Sequence, residues 1–478
     1  MPATLYLSSR FVMNTTRNDL AHTSDATLSR PLVFFIIALA LMMMSINTTI
    51  VATALDALTR GLDTSINWAG WTITAYSVGF VLMLPVSGKL SERYGHYAVF
   101  LGSVVAFTVA SLLCGFAQNI GQLIALRAIQ AIGGAGFTPA ATGIIVDHFG
   151  DERDRYVSLF GSIFPVGAMI GPIFGGLFVE YWTWRGIFFV NVPIGLLVAV
   201  LTLRYVPRGQ LARARREAMD IVGMLLLGTG LLGGMLTASY LGETDVHSWT
   251  LLLLLPLVAS VAALWGFVHH IHRTRSPFIR PRLLLGPGFG AVNLVNLLFG
   301  GMTNGAIALV PLYATSRYGL GALDSGTLLI AQGVAAVTLS VAVTFALRRI
   351  GYRPPIYVGG TIIIAGLVLL AVPPMAGISP YVWLACTTFL IGAGTGAINP
   401  ACRNAGLQLA PRRASSIAAI RSMFMATGGI VTISLATAIL APASDPGGTQ
   451  AWIYIGLAVI LMVTLPTIRR VPEHHGAW

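Results

Sequence analysis

Two polar side chains lie deep in an apolar stretch of this sequence, where neither can be solvated by water. Arg127 and Gln130 stand in RAIQAIGGAG (127–136), on one face of a helix and one turn apart. We place Arg127 about 10 Å below the nearer surface of the apolar layer. A guanidinium at that depth could shift the pKa of a carboxylate and relay protons, bind an anionic group, or cap nearby carbonyls as a structural residue.

Amide and aromatic side chains occur in other apolar stretches. Asn47, in INTTIV (46–51), either hydrogen-bonds a small molecule or bonds a neighbouring helix, and its amide cannot carry a proton. None of the 17 acidic residues falls in the middle of a predicted helix. We expect some of the remaining polar and amphipathic residues to line a cavity: Trp71, Tyr76, Asn293, Asn296, Asn304, Gln332, Asn399 and Asn404.

The composition requires a membrane to position these residues. Of the 478 residues, 55% are hydrophobic and only 10% are charged, whereas a soluble domain has about 25% charged residues. Apolar runs such as 31–55 recur along the chain, each long enough for the ~20 residues that cross a bilayer as a helix. The sequence therefore predicts an all-α membrane protein.

The net charge of +12 does not indicate a nucleic-acid partner, because the basic residues fall almost entirely in alternate loops. Cysteine spacing likewise indicates neither a disulfide framework nor a metal site. We therefore expect no cofactor and no metal. The expected partners are membrane lipids and a small molecule, and we expect the protein to be a monomer.

Fourteen transmembrane helices account for the apolar runs, centred near residues 44, 78, 107, 134, 168, 195, 231, 260, 298, 334, 363, 391, 428 and 459. With both termini on one side, that side collects most of the 29 basic residues, including Arg213, Arg215 and Arg216. The other side receives only Arg60, Arg185 and Arg317. By the positive-inside rule both termini are cytoplasmic, and we expect the chain in the plasma (inner) membrane. Arg127 is then the one charge well inside a helix.

An internal repeat divides the chain. RYGHY (93–97), after the second helix, matches RIGYR (349–353), after the tenth, and GGAGFTPAA (133–141) matches GTGAINPAC (394–402). The offset leaves room for two helices between two six-helix halves, an arrangement typical of transporters that rock around a central site. We therefore predict two pseudo-symmetric six-helix bundles plus two inserted linker helices. The predicted segments are a cytoplasmic tail (1–30), the first bundle (31–206), the inserted pair (207–284), the second bundle (285–468) and a second tail (469–478).

Five stretches together resemble the major facilitator superfamily, in particular its fourteen-helix drug/proton antiporter branch. GKLSERYGHY (88–97) is similar to the family's loop motif after the second helix, and RAIQAIGGAG to the motif of its fourth helix. GSIFPVGAMIGPIFGG (161–176) resembles the antiporter motif of helix five. WTITAY (71–76) and FVNVPIG (189–195) are also similar to this branch. The resemblance implies the two-bundle fold and transport by alternating access.

The loop motif suggests a conformational latch. A carboxylate at the end of the second helix can dock on a helix N-terminus in the other half, where free N–H groups favour an anion. The family's layout implies that this helix is the thirteenth, which begins near 410–417. A solvated turn is the alternative. Arg348 takes the acid's place in the second half, so we expect an asymmetric latch. The latch residues are Gly88, Glu92 (for the usual Asp), Arg93 and Gly95.

The motif of helix five combines small residues with helix breakers. Glycines four apart form one stripe that lets another helix approach closely, and each proline removes a backbone hydrogen bond and permits a bend. We favour a bendable seam between the two halves over close packing alone. The residues are Pro165, Gly167, Gly171, Pro172, Gly175 and Gly176.

We expect an exporter of hydrophobic or amphiphilic small molecules, such as drugs, lipids or related metabolites. The resemblance implies proton antiport, but Asn47 stands where the branch commonly has an aspartate in the first helix. The alternatives are a metabolite facilitator or importer, a polytopic membrane enzyme, and a transporter-like receptor or scaffold. The loops contain no clustered catalytic groups, so we do not expect an enzyme.

Overall fold

The computed structural model describes residues 30–64, 66–208, 220–241, 251–274, 277, 279–440 and 443–476. The predicted amino-terminal tail and Arg213, Arg215 and Arg216 lie outside the described residues. So does the side chain of Pro172, although the backbone at that position is helical.

Fourteen helices form the body of the molecule, as the hydropathy pattern predicts. Thirteen of those within the described ranges are long and apolar enough to cross a membrane, and α7 has 21 residues with an apolar stretch at Ile221–Gly234. The fourteen are α1 (Arg30–Thr53), α2 (Ile66–Tyr94), α3 (His96–Gly115), α4 (Ile120–His148), α5 (Arg153–Tyr181), α6 (Gly186–Tyr205), α7 (Ile221–Leu241), α8 (Leu251–Arg273), α9 (Phe289–Ala308), α10 (Ala322–Ile350), α11 (Arg353–Ala371), α12 (Pro380–Leu409), α13 (Ala414–Leu440) and α14 (Pro446–Thr464).

The helices pack as two related groups. We call α1–α6 the first half and α9–α14 the second half. In the first half α1 packs on α5, and α4 on α2 and α3; in the second, α12 packs on α10 and α11. The inserted helices α7 and α8 pack on each other, and α7 also contacts α2 and α13.

Two glycines at equivalent repeat positions end the second and tenth helices. Gly95 joins α2 to α3 with φ +93°, and Gly351 follows α10 with φ +78°. Both values lie in the left-handed region that favours glycine. The matched RYGHY and RIGYR segments therefore make the same kind of joint, as expected for a structural repeat.

The halves meet along two equivalent interfaces. α2 packs on α13, and α5 packs on α10. Because the repeat relates α2 to α10 and α5 to α13, each interface is the counterpart of the other. We call the end of the bundle that carries the α2–α3 and α10–α11 joints the latch end.

Candidate functional site

Arg127 is almost completely buried in α4 (1% exposed), and its guanidinium is held by groups of the first half. Nη1 donates to Asn47 Oδ1 at 3.3 Å and to Gln130 Oε1, and Nε donates to the Thr72 carbonyl at 3.3 Å. Its Cζ lies 4.2 Å from the centroid of the Tyr76 ring, within cation–π range. The protein itself therefore supplies three acceptors and one aromatic ring to the Arg127 guanidinium.

Asn47 is fully buried behind Arg127. Its Oδ1 accepts from Arg127 and from Gln130 Nε2, each at 3.3 Å, and from Asn191 Nδ2 at 3.5 Å. Gln130 Nε2 also donates to Ser111 Oγ at 2.6 Å. Asn47 Nδ2, by contrast, has no acceptor among the described residues. Asn47 Oδ1 thus faces three donors, and the Nδ2 group beside it has no acceptor among these residues. The carboxylate of an aspartate at position 47 would therefore fit these surroundings.

A cavity of about 510 Å³ lies between the two halves. Of the predicted residues, Tyr76, Arg127 and Asn399 line it, together with Asn304 and Gln332. Most of the remaining wall is apolar. It includes Met44, Phe80, Phe164, Pro165, Ile307, Met425, Ile430 and Ile433.

Several predicted site residues lie away from this wall. Trp71 is half-buried in α2 and does not line the cavity. Asn293 donates to the carbonyls of Leu283 and Leu284 at 2.9 and 3.0 Å. Asn296 begins the π-helical segment Asn296–Met302 and donates to the Val292 carbonyl at 2.8 Å. These two asparagines therefore satisfy backbone carbonyls near the start of α9.

Two further arginines line the cavity, and neither was among the predicted site residues. Arg403 in α12 is 5% exposed and Arg421 in α13 is 7% exposed. The expectation that Arg127 is the one charge well inside a helix is therefore wrong. Arg403 lies inside α12 and not in the loop after it, because α12 has 30 residues and continues to Leu409.

Arg403 and Arg421 belong to the second half and flank Asn399. Arg421 Nη2 donates to Asn399 Oδ1 at 2.6 Å. Arg403 lies one helical turn after Asn399 on the same face of α12, and its Cζ lies 5.2 Å from the centroid of the Phe160 ring. The second half thus presents a cationic surface opposite Arg127.

Glu92 reaches the N-terminus of α13, the contact that the latch hypothesis requires. Its Oε1 accepts from the Ser416 N–H at 3.2 Å, and its Oε2 lies 3.9 Å from Arg413 Nη1. Gly88 allows the approach, since a Cβ there would lie 2.8 Å from Ala419 Cβ and 3.0 Å from the Ser415 carbonyl oxygen. Arg93 instead lies with its Cζ 5.3 Å from the centroid of the neighbouring Tyr94 ring.

Hydroxyl groups and a histidine extend this contact between the halves. Ser91 Oγ and Ser415 Oγ lie 3.3 Å apart, and His96 Nδ1 lies 2.8 and 3.0 Å from them. Ser415 Oγ also hydrogen-bonds the Pro139 carbonyl at 2.8 Å. Residues of α2, α3 and α4 thus share one polar cluster with the start of α13.

The second half makes the equivalent contact with the charges exchanged. Arg348 Nε donates to Asp154 Oδ2 at 2.9 Å, and Nη2 donates to Oδ1 at 2.7 Å and to the Asp151 carbonyl. Asn404 Nδ2 adds bonds to the Asp154 carbonyl (3.2 Å) and to Ser158 Oγ (2.7 Å). The two contacts between the halves therefore differ, as expected of an asymmetric latch: Glu92 supplies the anion at one interface, and Arg348 supplies the cation at the other.

The glycine stripe of helix five packs within the first half, so the expected seam is corrected. A Cβ at Gly167 would lie 2.5 Å from Ser45 Cβ, and one at Gly171 would meet Thr49 and lie 3.0 Å from the Ile46 carbonyl oxygen. All three neighbours are in α1. Of the other two predicted glycines, Gly175 is buried and Gly176 is exposed. The contact with the second half is made elsewhere on α5, where Met169 lies beside Gly333 of α10. The stripe allows α1 and α5 to approach closely, and the other half meets a different face of α5.

A bundle of fourteen helices, in two repeated halves around a central cavity, is the architecture of a membrane transporter. The chain belongs to the Major Facilitator Superfamily, whose family model matches residues 35–433. Its relatives include the multidrug transporter protein MdtP of Bacillus subtilis, 28% identical over 76% of this chain and 66% of MdtP. They also include the multidrug resistance protein B homolog of Mycobacterium tuberculosis, 30% identical over 84% of this chain and 74% of that protein.

Solved structures share the fold. The human organic anion transporter MFSD10 superimposes with a TM-score of 0.67 at 14% identity, covering 91% of this chain and 98% of that one. The proton:xylose symporter XylE gives 0.64 at 14% identity, covering 93% and 96%. At this identity the likeness shows the fold alone. The chain spans just under two thirds of the length of MdtP.

Proposed function

We propose that this protein exports hydrophobic or amphiphilic small molecules from the cytoplasm by alternating access. The observation that carries the proposal is the cavity of about 510 Å³ between the halves, with a largely apolar wall and a few polar groups. The multidrug transporters among its relatives support this substrate class.

The orientation follows from the basic residues. We propose that both termini are cytoplasmic and that the chain lies in the plasma membrane, so that the latch end, with Arg348 and Arg413, faces the cytoplasm. The side-chain hydrogen bonds and ion pairs between the halves that are described above lie at the latch end. The structure then corresponds to the state closed to the cytoplasm, from which a substrate leaves outward.

Proton antiport is the coupling that the family resemblance implies, and it needs a titratable group on the transport path. The described cavity wall contains no Asp, Glu or His, and Asn47 cannot titrate. We propose that export does not use a carboxylate of the cavity as its proton carrier.

Filling the cavity tests the proposal. Ala168 lines the cavity, so Ala168→Trp should fill it. The variant should abolish uptake of fluorescent amphiphiles into proteoliposomes in which the cytoplasmic side of the purified protein faces outward. Ala98→Trp, on an exposed position of α3, is the matched control and should retain uptake. Equal transport by the two variants would contradict the assignment of this cavity. Movement only down the substrate's own gradient, in either direction, would instead indicate a facilitator.

A further inference from the structure

The central cavity carries an unbalanced positive charge. Three arginines (Arg127, Arg403 and Arg421) line it, and the described wall contains no carboxylate. Removing a cation from water costs free energy unless a partner compensates it, so buried arginines in membrane proteins pair with anions or face a polar cavity. An anionic ligand would compensate the charge of this wall.

Arg127 differs from the other two in how its donors are used. Its guanidinium already has three acceptors in the first half. Arg421 donates to Asn399, and Arg403 lies against the Phe160 ring. The Nε atoms of Arg403 and Arg421 are both buried and have no hydrogen-bond partner within the described structure. Arg403 and Arg421 therefore keep N–H donors that no described residue uses, whereas Arg127 serves the packing of its own half.

The position of this pair orients a ligand. Arg421 lies about two turns into α13 from its latch end, and Arg403 lies less than two turns before the latch end of α12. The apolar side chains of Ile430 and Ile433 lie further along α13, toward the opposite end of the molecule. One compartment thus combines a cationic site near the latch end with an apolar wall beyond it.

We propose that the substrate is an amphiphilic organic anion whose carboxylate, sulfonate or phosphate is bound by Arg403 and Arg421. Planar guanidinium groups bind such oxyanions through two parallel hydrogen bonds, and the low polarity of the cavity strengthens the interaction. Asn399 holds Arg421 in position, and the apolar wall accommodates the hydrophobic part of the molecule. This inference rests on the proposed export function, because it names the substrate class of the same cavity.

The test compares three naphthalene compounds that differ in charge: the 2-sulfonate, the 2-sulfonamide and the 2-trimethylammonium. Binding to the purified protein is measured in phosphatidylcholine nanodiscs, and transport is measured in proteoliposomes. We expect the sulfonate to bind most tightly. Arg403→Gln and Arg421→Gln should each weaken its binding about 10-fold to 100-fold and change sulfonamide binding much less.

The Lys variants and a distant Gln variant separate the effect of charge from an effect on folding, and added anionic lipid identifies the source of the anion. Arg403→Lys and Arg421→Lys keep the positive charge and should retain part of the sulfonate preference. Arg469→Gln removes an exposed arginine outside the cavity and should bind the sulfonate as the wild type does. Phosphatidylglycerol added to the nanodiscs should compete with the sulfonate if lipid headgroups also reach the site, whereas a site for free anions leaves the sulfonate affinity unchanged. Either result supports an anion site.

The two proposals fail in different ways. Export of the ammonium or sulfonamide compound with no binding preference for the sulfonate would overturn the anion inference and leave the export function standing. Sulfonate binding that depends on Arg403, without transport of any compound, would support the anion site and overturn export. Absence of sulfonate binding, or equal sulfonate binding by the wild type and both Gln variants, would overturn the anion inference.

Discussion

Replacing Arg348 by glutamine removes the cation that holds Asp154 at the latch end. The pair joins α10 to α5 through two hydrogen bonds of 2.7 and 2.9 Å. In the alternating-access mechanism proposed above, the two helices separate in the state open at the latch end, and both groups are then hydrated. The substitution should therefore destabilise only the closed state and shift the population toward the open one.

The size of the shift follows from the exposure of the pair. The Asp154 side chain is 7% exposed and that of Arg348 is 41% exposed. Removing a partner from a fully buried pair costs about 3–5 kcal/mol, while an exposed pair contributes about 0.2–1 kcal/mol. We take about 2 kcal/mol for this half-buried case, which corresponds to about a 30-fold change in the ratio of closed to open molecules.

Distances between spin labels at the latch end measure this ratio directly. Ala98→Cys in α3 and Arg470→Cys after α14 place one label on each half, at exposed positions. Pulsed electron resonance in proteoliposomes should show a longer distance gaining population in Arg348→Gln. The native cysteines are replaced by alanine beforehand: Cys114, Cys386 and Cys402.

A double-mutant cycle separates this pair from other effects on the protein. Once Asp154→Asn has removed the carboxylate, Arg348→Gln should add little further shift. Arg349→Gln, at the neighbouring exposed position, should leave the distances unchanged. Additive shifts from Asp154→Asn and Arg348→Gln, or no shift with Arg348→Gln alone, would refute the reasoning.

Three further predictions test the packing and the coupling. Gly88→Ala should push α2 away from Ala419 and shift the same label distances toward the open state, while Gly70→Ala, which has open space at its Cβ, should not. Gly171→Ala should lower the thermal stability measured by size-exclusion chromatography after heating by several degrees, because its Cβ meets Thr49 of α1; Gly176→Ala meets no atom and serves as the control. Asn47→Asp should convert export that ignores an imposed pH gradient into export that depends on it, because the new carboxylate would face Arg127. Gradient-dependent wild-type export would instead show that another group carries the proton.

The helices and the family could be predicted from the sequence because both depend on local patterns. A bilayer requires about 20 apolar residues for each span, and that requirement can be counted along the chain. The match between RYGHY and RIGYR predicted equivalent joints, and both contain a glycine with positive φ, Gly95 and Gly351. At these two joints the residue type glycine is itself the sequence signal for a positive φ.

The partners of the site residues could not be predicted, because they depend on helix packing. A stripe such as Gly167 and Gly171 shows that some helix approaches closely, but not that the helix is α1. Arg403 was missed for a different reason. An arginine near the end of an apolar run can lie in a loop or inside a long helix, and only the packing around α12 distinguishes the two.

The charge exchange between the two interfaces has a simple electrostatic reason. The N-terminus of a helix favours an anion, and α5 carries its own, Asp154, in its first turn. The first turn of α13 has no acidic residue, and Glu92 of α2 occupies that place instead. Because α5 supplies its own carboxylate, the facing helix α10 needs no acidic residue at this place. Arg348 of α10 pairs with Asp154 instead. Opening the two interfaces then has different consequences, since α13 loses its anion while α5 keeps Asp154. We therefore expect Glu92→Gln to shift the label distances toward the open state, with an effect additive to that of Arg348→Gln because the two contacts use separate charges.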